Sequence, residues 1–350
     1  MKKLCQQLAA MMFLLAPCAP SHAQNGDISS GLIQRTGIAY SSATGKVYVV
    51  DAPHNALLMI APDGTVKSVR TGSSPLAIAV NDRTGTVYVA NSGSHSVTVV
   101  DGIKGEAIAT VATAATPYAI AADETANKVY VSNTFSNMLT VIDGKTNIAT
   151  NIKTGSADAL MLDEKRNQLY LLGYESNALT LFDPKTSELT KLPAGATHLW
   201  GIAESGKALY VTHIQDASIA AIDTETNAIV EIATGTIPCA LAIDSVAGKV
   251  YVANYGDGSV TAVDSHSNSV IATIKVGGHP QAIAIDEALG LVYVAETREN
   301  LVSVIDTHTL HVTKQLQAGD HPYALVVNTT THKVYAANIG TKAFTELHMP

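Results

Sequence analysis

The sequence has 350 residues, 47% of them apolar and only 15% charged, a composition that can bury a large core and excludes a disordered chain. Aromatic residues make up 5%, tryptophan occurs once, and the formal charge is −8 with no run of Lys or Arg. Neither a stacking platform nor a phosphate footprint is available, so a nucleic-acid partner is not expected.

Residues 1–23 read as a secretory signal. Lys2 and Lys3 supply the charged start, Leu8 to Ala16 the apolar stretch, and Ser21-His22-Ala23 the small residues of a cleavage site. Leu15-Ala16-Pro17-Cys18 loosely resembles a lipobox, but proline before the cysteine fits poorly, so a lipid anchor is not expected. No later stretch reaches ~18 continuous apolar residues, so no transmembrane segment is expected. The expected mature chain is Gln24–Pro350, periplasmic or extracellular, monomeric, with charge −10 once Lys2 and Lys3 are gone. Of the cysteines, Cys5 and Cys18 fall in the signal; Cys239, behind Pro238 in an apolar run, reads as a buried small hydrophobe.

From there one pattern recurs eight times: KVYVVD, TVYVAN, KVYVSN, QLYLLG, ALYVTH, KVYVAN, LVYVAE and KVYAAN. Their tyrosines are Tyr48, Tyr88, Tyr130, Tyr170, Tyr210, Tyr251, Tyr293 and Tyr335, spaced 40 to 42 residues apart. Such units account for nearly all of residues 24–350 and leave no room for a second domain. Each begins with an apolar strand such as PLAIAV, turns through polar residues into the VYVAN strand, and continues into SVTVVD. A fourth strand such as SVIATIKVG then admits charge. Four short strands per ~41 residues, broken at Gly, Asn, Asp and Ser, describe a blade of a β-propeller, with eight blades expected and seven the alternative. Asp101, Asp143, Asp183, Asp223, Asp264 and Asp306 head the turn after the third strand and read as turn formers. The last unit lacks an outer strand, and Ile28–Arg35 is expected to supply it, closing the ring with both chain ends in one sheet.

The recurrent VYVAN string resembles the YVTN-family β-propeller repeat proteins, the YncE-like exported prokaryotic group, over nearly the whole mature chain. The resemblance implies an exported propeller and no shared catalytic motif.

Aligning the residue before each first strand gives a ring at one channel mouth: Gln34, Ser74, Thr116, Ser156, His198, Ile237, His279 and His321. His54 and His95, in loops joining second and third strands, and His213, at a strand end, belong to the same face; His266, His308 and His332 fall on the other. Trp200, two residues beyond His198, offers a stacking wall or packing between blades. Asp51 and Glu296 replace the usual strand-end Asn and are the acids best placed to join the histidines. The expected ligand-binding set is therefore His198, Trp200, His213, His279 and His321. No nucleotide loop, haem attachment motif or nucleophile elbow occurs, and no cofactor is called for. Histidines gathered at a mouth nonetheless suit a divalent metal. The sequence is read as a non-catalytic exported scaffold binding a protein, glycan or small molecule through this face. The alternative is a metal-assisted lyase or hydrolase using the mouth histidines.

Overall fold

The computed structural model describes residues 31–33, 37–340 and 342–347; the signal segment 1–23 lies outside the described residues. Eight antiparallel meanders stand around a central channel, so the chain is an all-β propeller of eight blades. Blade 2 shows the plan, with inner strand Pro75–Asn81, then Thr86–Asn91, Ser96–Asp101 and the outer strand Glu106–Ala112. The other inner strands, in blade order, are Ile38–Tyr40, Pro117–Asp123, Ala159–Asp163, Leu199–Ser205, Pro238–Asp244, Pro280–Asp286 and Pro322–Asn328.

Sequence pattern and burial agree strand by strand. Both faces of the first two strands meet neighbouring blades, so these strands are continuously apolar and Val87 to Ala90 have no exposure. In the outer strand Glu106–Ala112 only Val111 is buried, and the exposed positions admit Glu106 and Thr110 beside Ala107, Ile108 and Ala112. The VYVAN tyrosines are, with Tyr40, the largest buried side chains. Tyr48 reaches across the seam to donate to the Gly102 carbonyl, and Tyr210 donates to the Ser265 carbonyl and to Asn268 Oδ1. Burial raises their phenol pKa values, that of Tyr210 to about 12. Cys239 is buried as expected.

The turn aspartates do what their turn sequences imply. Asp101 Oδ1 accepts the amides of Ile103 at 3.0 Å and Lys104 at 2.9 Å, and Asp143, Asp183, Asp223, Asp264 and Asp306 repeat the arrangement. A second set of carboxylates latches blades together at the face opposite the mouth. Asp82 accepts the Ser42 amide at 2.9 Å, Glu124 the Asp82 amide at 2.9 Å, Glu164 the Glu124 amide at 3.1 Å and Glu287 the Ser245 amide at 2.7 Å. Arg166 continues the series by bridging Asp163 of its own blade to Glu204 of the next.

Closure differs from expectation. Among the described residues the eighth sheet comprises Pro322–Asn328, Lys333–Asn338 and Phe344–Leu347, without the fourth strand expected from Ile28–Arg35. The described part of that segment, Gly31–Ile33, pairs instead with the inner strand of blade 4. The ring closes by packing: Ile38, Tyr40, Val47 and Val49 of blade 1 share a core with Ala324, Val326, Tyr335 and Ala337 of blade 8.

Candidate functional site

Pairing of Pro75 with Asn91, and of Asn91 with Ser96, puts the start of each first strand and the turn between second and third strands at one end of the blade. This is the mouth that carries the ring residues. Six of them share one unusual conformation: Ser74, Thr116, His198, Ile237, His279 and His321 all have positive φ, between 25° and 59°. For β-branched Thr116 and Ile237 this region is a genuine outlier. Geometry gives the reason, because the turned residue offers its carbonyl to the residue after the second strand. Ser92 donates to Ser74 at 2.9 Å, Ile214 to His198 at 3.1 Å, Tyr255 to Ile237 at 2.9 Å and Thr297 to His279 at 3.3 Å.

Two residues further on, most inner strands carry a β-bulge, which re-aims one side chain per blade. The skipped positions include Leu76, Tyr118, Trp200, Cys239, Gln281 and Tyr323. Trp200 thereby leaves its own sheet. It packs against the core formed by blades 6 and 7, while its edge meets Tyr174 of blade 4 with centroids 6.1 Å apart. Trp200 is therefore half-buried between blades, packed as expected, and borders the mouth.

His198, His279 and His321 share a face and a position, but each meets a different neighbour. His198 stacks edge-on with Tyr174 at 5.1 Å and His279 with Tyr255 at 4.9 Å, in both cases across a seam between blades. His321 is exposed, its amide held by Asn300 Oδ1 at 2.8 Å. Among the described residues no three His, Cys, Asp or Glu side chains come together in a group able to hold a metal ion. His54 pairs with Asp51 at 2.8 Å, and His95 Nδ1 accepts the Thr116 amide at 3.0 Å. His266, His308 and His332 lie in turns at the opposite end, as expected; His332 pairs there with buried Asp286 at 2.7 Å.

His213 does not border the mouth. It occupies the slot that Asn91, Asn133, Asn254 and Asn338 fill in other blades, where the amide donates to Thr98, Thr140, Thr261 and Thr345 Oγ1 at 2.9 to 3.0 Å. His213 has no exposed surface. Its Nε2 donates to the Ala194 carbonyl at 2.8 Å and its Nδ1 lies 3.1 Å from Ser218 Oγ, while burial lowers its pKa and keeps the ring neutral. Glu296 fills the same slot in blade 7 and turns inward to Ser303, so it does not join the histidines; burial raises its pKa.

Sequence reasoning missed Tyr174 and Tyr255. The signal is the residue after the second strand, which reads Ala52, Ser92, Thr134, Tyr174, Ile214, Tyr255, Thr297 and Ile339 around the ring. At these two rim positions blades 2 and 3 therefore carry small hydroxyl residues, whereas blades 4 to 8 carry rings and exposed Ile237 and Ile339; His54, His95 and exposed Phe135 lie in the adjoining loops of blades 1 to 3. The ring contacts that cross seams between blades, Tyr174 with His198 and Tyr255 with His279, lie in blades 4 to 7.

No family model matches the chain, and no curated protein matches it. Solved structures do. Hydrazine synthase of Kuenenia stuttgartiensis superposes with a TM-score of 0.62 at 18% identity, over 81% of this chain and 98% of that one. Dihydro-heme d1 dehydrogenase NirN, in complex with DHE, gives 0.67 at 13% identity, over 85% and 75%. Streptogramin B lyase gives 0.61 at 17% identity, over 78% and 92%. At such identities the likeness is one of fold, and what it shows is that the chain is a β-propeller.

Proposed function

We propose that the protein is an exported, non-catalytic propeller scaffold that binds a protein, glycan or small ligand at the mouth sector of blades 4 to 8. The observation that carries this reading is the pair of seam-crossing ring contacts, Tyr174 with His198 and Tyr255 with His279, flanked by Trp200. A rigid rim presenting aromatic faces and imidazole donors suits recognition, and strained backbone at Ile237 and Thr116 marks the same rim. His321 belongs to the sector; His213, being internal, acts through packing. The resemblance to exported YVTN-family repeats and the signal at residues 1–23 support placement in the periplasm or outside the cell. No helix among the described residues is long and apolar enough to cross a membrane.

Trp200 is the only tryptophan, so its emission reports this sector alone. Titration with a panel of soluble oligosaccharides and peptides should find a binder that shifts the emission. His198→Ala and His279→Ala should weaken that binder, and His266→Ala should not. A binder lost only in His266→Ala would place the site on the other face. Metal analysis of the purified protein separates the metal-assisted lyase or hydrolase alternative, which requires stoichiometric divalent metal. A mature chain beginning at Gln24, read by mass spectrometry, checks export.

A further inference from the structure

The inner strand of blade 4 departs from those of six other blades; besides it only the shorter inner strand of blade 1, Ile38–Tyr40, runs without a register shift. In blades 2, 3, 5, 6, 7 and 8 the inner strand is bulged near its start. A bulge bends the strand and spoils its free edge as a template for pairing. In blade 4 the register runs unbroken from Ala159 opposite Leu172 to Asp163 opposite Gln168. The cause is local. Asp158 stands where the bulged residue stands elsewhere, its amide donates to the Leu172 carbonyl at 2.6 Å, and its carboxylate accepts the Tyr174 amide at 2.7 Å. The start of the strand is thus pinned flush with its neighbour, and a regular edge is left facing the channel.

That edge is occupied. Gly31–Ile33 runs antiparallel along it toward the mouth, with Gly31 opposite Leu162, Leu32 opposite Met161 and Ile33 opposite Leu160. Among the described residues this is the only inner strand paired on its channel side. The described ladder is three residues long, below the usual strand length of about five or six, and a ladder of that length holds weakly.

We propose that the channel-facing edge of Ala159–Asp163 is a strand-acceptor site for an extended, proline-free apolar peptide segment of a partner protein, and that Gly31–Ile33 is an internal occupant which such a segment displaces. Backbone pairing supplies the affinity in this mode of recognition, and the resident segment defines the chemistry that fits. Because the resident is tethered, it competes at an effective concentration on the order of millimolar, and weakening it exposes the site. The inference is independent of the mouth sector.

The probe is a fluorophore-labelled peptide with the sequence of residues 29–35, added to the full-length parent and to full-length Leu32→Pro, whose proline cannot donate to the ladder. Leu32→Pro should bind the probe at least tenfold more tightly than the parent, and a probe carrying proline in place of its leucine should bind neither. Amide exchange in the parent gives a second measure that needs no variant. Amides of Ala159–Asp163 should exchange more slowly than those of Ala240–Ile243, a bulged inner strand with no channel-side partner among the described residues. Equal affinity of parent and variant for the probe, or equal exchange in the two inner strands, overturns the proposal.

Discussion

Tyr174 of blade 4 meets His198 of blade 5 edge-on, with ring centroids 5.1 Å apart and planes at 66°. The same tyrosine touches Trp200 and accepts a hydrogen bond from Gln215 at 3.0 Å, so one side chain organises the mouth across a seam. Tyr174→Ala should therefore act on both the rim and the seam. Losing the edge-on pairs costs about 0.5–1.5 kcal/mol each. Trp200 emission should move to longer wavelength as water reaches the indole. Denaturant melts and emission spectra of the same samples check both effects, and an unmoved spectrum would show that Tyr174 does not cover Trp200.

The buried tyrosines divide by what their hydroxyls find. Tyr210 OH donates across the seam, whereas Tyr251 OH is buried with no hydrogen-bond partner among the described residues. Tyr210→Phe should lose about 1 kcal/mol, and Tyr251→Phe should be neutral or stabilising, because its hydroxyl is desolvated without return. Equilibrium urea unfolding of the two variants side by side tests this, and similar losses in both would refute it.

Acid dependence has two opposing parts. The turn aspartates have pKa values lowered from 3.8 by backbone amides, so their contribution is present above that pH and is lost as pH falls through the folded values. Glu164, Glu204 and Glu296 are raised from 4.5 by burial, so the folded state holds their protons longer and stability declines as pH rises from 4.5 through the folded values. Buried His213, with its pKa lowered from 6.5, opposes the glutamates: its contribution is present above pH 6.5 and is lost as pH falls. Glu296→Gln removes one titrating group and should flatten the decline toward neutral pH, as read from melting temperature against pH.

Ile237 holds φ of 54° with a β-branched, half-exposed side chain. Glycine adopts that conformation without the Cβ penalty, which is roughly 1–2 kcal/mol in the left-handed region. Ile237→Gly should raise the unfolding midpoint slightly while removing apolar surface from the mouth. A lowered midpoint would mean that packing by Ile237 outweighs its strain.

How far the sequence carried depends on what a repeat can encode. Blade number, strand order and the buried tyrosines were legible because eight copies with one spacing leave a single register in which every Tyr48 equivalent is internal. The mouth was legible as a position but not as contacts. His198 and His279 were found by alignment, yet their partners Tyr174 and Tyr255 sit one blade earlier, some 24 residues upstream, and only the seam brings them together. His213 misled because a strand-end polar residue looks like a rim residue in one dimension. The asparagine slot it fills faces inward. The destination of Ile28–Arg35 was not legible either, since the edge that takes Gly31–Ile33 is regular only through the fold of Asp158 onto Tyr174.

Closure through side-chain contacts, with no described strand crossing it, makes the junction of blades 8 and 1 a mechanical weak point. Every other junction is crossed by the polypeptide itself, running from an outer strand into the next inner strand. Between Leu347 and Ile38 the described chain offers the apolar core shared by Val49, Val326 and their neighbours, and a hydrogen bond between the Tyr40 hydroxyl and Thr330 Oγ1 at 3.0 Å. Pulling on the ring loads seven covalent hinges and one seam held by side chains. The ring should part at that seam, peeling blade 8 outward while the opposite side of the molecule stays closed.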